Sequence, residues 1–80
     1  MRVVTEFSTD FCKVTVFAWN NKYLLKLENP FFEQTFKVSE MDLTGDADII
    51  NLTKDEVFMK EALERFKEMS RSLQEGLQRV

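Results

Sequence analysis

The sequence predicts an α+β domain: an antiparallel β-meander of three strands, with residues 3–7 as a candidate fourth, packed by one long C-terminal α-helix. Apolar residues alternate with a period of two across residues 11–28 and return after a break at Asn29-Pro30. A helical apolar stripe then runs from Phe58 to Leu77. Charge shifts between these regions: residues 1–38 carry five basic and four acidic side chains, residues 39–80 six and ten. The expected boundaries are strands over about 11–38, a linking segment over 39–52 and a helix over about 53–78, all in a single domain of 80 residues.

The first hairpin has a register that can be checked. Cys12, Val14, Val16 and Ala18 alternate with Lys13, Thr15, Phe17 and Trp19. Asn20-Asn21 follows, and asparagine tolerates the positive φ that a two-residue hairpin turn requires. Such a turn pairs Ala18 with Tyr23, Val16 with Leu25, and Val14 with Leu27 on one face. It pairs Phe17 with Leu24, Thr15 with Lys26, and Lys13 with Glu28 on the other. One register thus yields an apolar face and an opposite-charge cross-strand pair. Phe32, Phe36 and Val38 resume the core parity, with Gln34 the odd polar residue among them. Phe31, Glu33, Thr35 and Lys37 fall on the opposite parity.

In the linking segment, Gly45-Asp46-Ala47-Asp48 reads as a turn or a cap, and Ile49–Leu52 fits a short strand or one helical turn. Thr53 and Glu56 have capping-box spacing, with Leu52 and Val57 at the positions of a hydrophobic staple. Glu56–Lys60, Glu61–Arg65 and Glu75–Arg79 are acid-then-base pairs one turn apart. A helix of this length measures ~38 Å, whereas a seven-residue strand spans ~23 Å. The helix therefore overhangs its sheet unless it breaks near Ser70 or crosses diagonally. Met59, Leu63, Phe66, Ser70, Leu73, Leu77 and Val80 keep the four-three spacing of a helix-pairing seam. The alternatives are an end left in solvent, or one folded back onto Met41 and Leu43.

The sheet has a second apolar surplus. The face away from the helix carries Phe17, Trp19, Leu24 and Phe31, ringed by Lys13, Lys22, Lys26 and Lys37. It marks an interaction surface, unless Val3, Val4 and Phe7 fold back over it.

Catalytic chemistry is sparse. The chain has no histidine, so it lacks the commonest general base and transition-metal ligand. Its single cysteine, Cys12, lies on the core parity and reads as a small core residue. Gly45 and Gly76 are the only glycines, too few for a phosphate-cradling loop. Asp42, Asp46 and Asp48 lack calcium-loop spacing and read as turn and cap residues. No enzyme activity, cofactor or metal is expected. A net charge of −3 dictates no partner. No apolar run approaches the ~20 residues of a membrane span, and the N-terminus has no signal-peptide core. With one cysteine and no disulfide, the cytoplasm is the expected compartment.

Lys13-Val14-Thr15-Val16-Phe17, Tyr23-Leu24-Leu25-Lys26-Leu27, Phe36–Asp42 and Ala62-Leu63-Glu64-Arg65-Phe66 resemble a group of small uncharacterised bacterial proteins. The likeness covers most of the chain after Phe11 and implies strands followed by one long helix, with no activity attached. Ile50–Glu56, running into a helix after a meander, is similar in layout to the single-stranded-DNA-binding transcriptional coactivators. That likeness implies a curved four-stranded sheet and a dimerising helix, but the dense basic residues of such a sheet are missing here.

The function expected is therefore a non-enzymatic protein-interaction module, self-associating as a homodimer. Its surface would be Met69, Leu73 and Leu77 on the helix, or Phe17, Trp19 and Leu24 on the sheet. The alternative is single-stranded nucleic-acid binding through Lys13, Phe17, Trp19 and Lys26, with bases stacked on rings and lysines on phosphates.

Overall fold

A computed structural model describes residues 1–80. Four antiparallel strands form one sheet in the order β1-β2-β3-β4: β1 Arg2–Ser8, β2 Lys13–Trp19, β3 Lys22–Glu28 and β4 Glu33–Ser39. A short 3-10 turn, Glu40–Asp42, leads to two helices, α1 Asp46–Thr53 and α2 Glu56–Gln78.

The β2–β3 hairpin has the register predicted from its alternation and turn. Ala18 faces Tyr23, Val16 faces Leu25 and Val14 faces Leu27, while Phe17 faces Leu24 and Lys13 faces Glu28. Asn20 and Asn21 hold φ of 53° and 63°, the paired left-handed residues of such a turn. Val14, Val16, Leu25 and Leu27 are fully buried beneath the helices. Ile49 of α1 and Ala62 and Phe66 of α2 close the same core.

Residues 3–7 do form a strand. β1 pairs with β2 instead of folding over the far side, so Val3 joins the open face without covering it. Its register slips between Val3 and Thr5, which leaves Val4 as a bulge.

The linking segment is more helical than expected. Ile49–Leu52 is helix, within α1, and Thr53 is the last residue of α1. Thr53 is buried and donates its hydroxyl to the Ile50 carbonyl, so it does not cap α2. The cap is Asp55, whose carboxylate accepts from Phe58 N–H at 2.8 Å. The long helix thus starts at Glu56 instead of Thr53, and the capping box and its staple do not form; Val57 is exposed.

α2 runs back along β4. The Phe58 ring meets Phe36 at 5.5 Å between centroids, Ala62 meets Gln34, and Met69 and Leu73 flank Phe32. The helix does not break at Ser70. Its 23 residues extend the molecule to 45 Å, against sheet strands of seven residues. None of the three acid-then-base pairs expected on its surface forms. Arg71 bridges Glu68 and Glu75, and Arg65, though exposed, donates to Gln34 on β4.

Candidate interaction surfaces

The overhang of α2 makes the first surface. The face that buries Ala62 and Phe66 against the sheet continues as Met69, half-buried against the core, and then past the sheet's end as Leu73 and Leu77. Leu73 is 51 % exposed and Leu77 61 %. Phe31 and Phe32, in the turn between β3 and β4, form a groove with Ser70, Leu73 and Gln74. A contiguous exposed apolar patch of this kind is often an interaction surface.

Phe31 was expected on the open sheet face and lies instead in this groove. Asn29 N–H donates to the Phe32 carbonyl, and the Asn29 side chain accepts from the N–H groups of Phe31 and Phe32. Phe31 is therefore a turn residue, free of the strand alternation, and it is 85 % exposed. Met41 is 92 % exposed, so the helix end does not fold back onto it.

The open sheet face makes the second surface. Val3, Phe17, Leu24 and Lys37 align in one row across the four strands. Phe17 and Leu24 are half-buried, and Trp19 beside them is 49 % exposed with the Lys22 ammonium 5.9 Å from its ring. Lys13 lies 3.5 Å from Glu6, and Lys26 lies between Glu33 at 3.5 Å and Glu28 at 3.6 Å. Each of these lysines already faces a carboxylate. The structure thus brings Phe17, Trp19 and Leu24 together on one face, and places Met69, Leu73 and Leu77 on another.

Polar groups elsewhere are spent on the fold. Asp46 accepts a two-point contact from Arg2, with the shorter arm at 2.7 Å, and the Tyr23 hydroxyl donates to it at 2.7 Å. These donors hold the Asp46 carboxyl below its ordinary range, Arg2 first and Tyr23 second. The same bond to Asp46 pushes the Tyr23 phenol up. Asp48 accepts from the main-chain N–H and hydroxyl of Thr44, both at 2.8 Å. Asp42, Asp46 and Asp48 form no metal-ligating cluster. Cys12 is buried with its Sγ 3.6 Å from the Thr9 hydroxyl, and burial pushes its thiol pKa up, away from the reactive thiolate.

No helix is long and apolar enough to cross a membrane. The chain matches no protein-family model, no curated protein and no solved structure.

Proposed function

We propose that this chain is a small, non-enzymatic protein-interaction module that works in the cytoplasm as a homodimer. The observation that carries the reading is the apolar groove where Phe31 and Phe32 meet Leu73 on the overhang of α2. A helix that outruns its own sheet and keeps its apolar stripe needs a second surface to bury it. Two-fold self-association is the commonest supply of one. The bacterial origin implied by the resemblance belongs to the same proposal.

Leu73→Glu tests it. The substitution places a charge in the groove and touches no buried core residue. Molar mass from light scattering after size exclusion should fall from dimer toward monomer, with the circular dichroism of the folded chain retained. Unchanged association would remove the helix stripe from the interface.

Single-stranded nucleic-acid binding is the second reading, and Trp19 with Lys22 over its ring is the observation that favours it. The carboxylates facing Lys13 and Lys26 weigh against it, because phosphate contacts supply most of the affinity of such proteins. Trp19 fluorescence quenched by an oligonucleotide at low salt and restored at high salt would support it. A flat titration would end it.

A further inference from the structure

The two edges of the sheet are built differently. At the β1 edge, the bulge at Val4 interrupts the ladder, a device that turns an edge away from further pairing. β4 at the other edge pairs with β3 from Ser39 to Glu33 with no slip, and it contains no proline. Its unpaired side is identifiable. Asn29 N–H donates to the Phe32 carbonyl at 3.0 Å, and Glu40 N–H donates to the Asn21 carbonyl at 3.1 Å. Hydrogen-bonded pairs recur at every second residue of an antiparallel ladder. Gln34, Phe36 and Val38 therefore aim their main-chain groups at β3, and Glu33, Thr35 and Lys37 aim theirs outward. No turn, loop or capping bond uses these outward groups, and all three residues are exposed.

We propose that this edge is where a second copy of the chain docks: the two β4 strands pair antiparallel, with Thr35 against the partner's Thr35 on the two-fold axis, joining the sheets into one. The proposal rests on the self-association reading above and names its interface. Charge selects the register. With Thr35 on the axis, Glu33, which in its own chain accepts from the Thr35 hydroxyl at 2.8 Å and lies 3.5 Å from Lys26, faces the partner's Lys37, and Lys37 faces the partner's Glu33, two opposite-charge pairs in hydrogen-bonded positions. An axis at Lys37 sets lysine against lysine, and an axis at Glu33 sets glutamate against glutamate. Axes at Phe36 or Gln34 leave both charges against uncharged residues. Opposite charges directly across a ladder are favourable and like charges unfavourable.

The same register gives the exposed apolar residues a partner. At each end of the paired strands, the turn that holds Phe31, 85 % exposed, comes near the end of the partner's β4, where Met41 follows Ser39. Met41 is 92 % exposed in the single chain. Since α2 runs back along β4, the axis also lays the two α2 helices side by side on one face of the joined sheet.

A charge exchange tests the register. The chain and its Lys37→Glu, Glu33→Lys/Lys37→Glu and Leu73→Glu variants are compared by light scattering over a concentration series. Lys37→Glu should weaken the dimer about tenfold, since the two-fold repeats each pair. The double exchange should restore it to within about threefold. A dimer broken by Leu73→Glu but indifferent to Lys37→Glu overturns the β4 interface and leaves the self-association reading standing. A wild-type chain that stays monomeric overturns both, and leaves the edge to an extended segment of another protein.

Discussion

Gln34 ties β4 to α2 by both ends of its amide: Nε2 donates to the Ala62 carbonyl at 2.9 Å, and Oε1 accepts from Arg65 Nε at 2.9 Å. Arg65 in turn lies over the Phe36 and Phe58 rings, at 5.6 and 5.7 Å. The polar residue that interrupts the core face of β4 is thus the fastener between sheet and helix. Gln34→Leu keeps the bulk and removes both bonds. It should cost about 1–3 kcal/mol, the range for breaking a buried hydrogen-bonding group. For a domain of this size that is a fall of about 4–8 °C in Tm per kcal/mol. Urea unfolding reads it directly, and an unchanged midpoint would show that the amide contacts contribute nothing.

Arg2 and Tyr23 bind Asp46 in its ionised form, so the folded chain holds this proton less tightly than the unfolded one. The stability this supplies is present above the ordinary aspartate value of 3.8 and is lost as pH falls through the lower, folded value. Tyr23 has the opposite sign. Its raised phenol contributes below 10.0 and loses that contribution as pH rises further. Asp46→Asn should flatten the acid limb of a stability-against-pH curve relative to the wild type. Identical acid limbs would remove the contact from the chain's pH response.

The Asn20-Asn21 turn requires left-handed backbone at both positions. Asn21→Gly should be neutral or slightly stabilising, since asparagine–glycine suits this turn best. Asn21→Val should cost about 1–2 kcal/mol, the penalty for a left-handed non-glycine residue. Thermal melts of the two variants should therefore move apart; coincident melts would contradict the turn assignment.

At the start of α2, Asp55→Ala should cost about 1 kcal/mol as a lost helix cap. Glu56→Ala should cost less than about 0.5 kcal/mol, because Glu56 is exposed and makes no capping-box bond. A loss at Glu56 with none at Asp55 would reinstate the box.

These cases show what was legible in the chain and what was not. The β2–β3 register follows from strict alternation and a two-residue turn, both local, and it was readable in full. β1 was harder because the bulge at Val4 shifts the face on which the following residues fall and breaks the alternation. α1 has only Ile49, Ile50 and Leu52 as large apolar residues, and its leading Gly45 offers no side-chain cap. Its start is marked instead by Asp48 reaching back to Thr44. Thr53 and Asp55 are both good caps two residues apart. Tertiary burial of Thr53 at the end of α1 decides between them, and no local pattern shows it. The stripe of Met69, Leu73 and Leu77 was readable, but its neighbour Phe31 was not. A turn built on Asn29 takes Phe31 out of the strand parity and sets it beside the helix.

The molar mass in solution, followed by light scattering over a wide concentration range, tests the reading as an interaction module most directly. Self-association through the surplus apolar surface gives a particle of twice the 9.5 kDa chain that dissociates on dilution. A single species at 9.5 kDa across the whole range would contradict it.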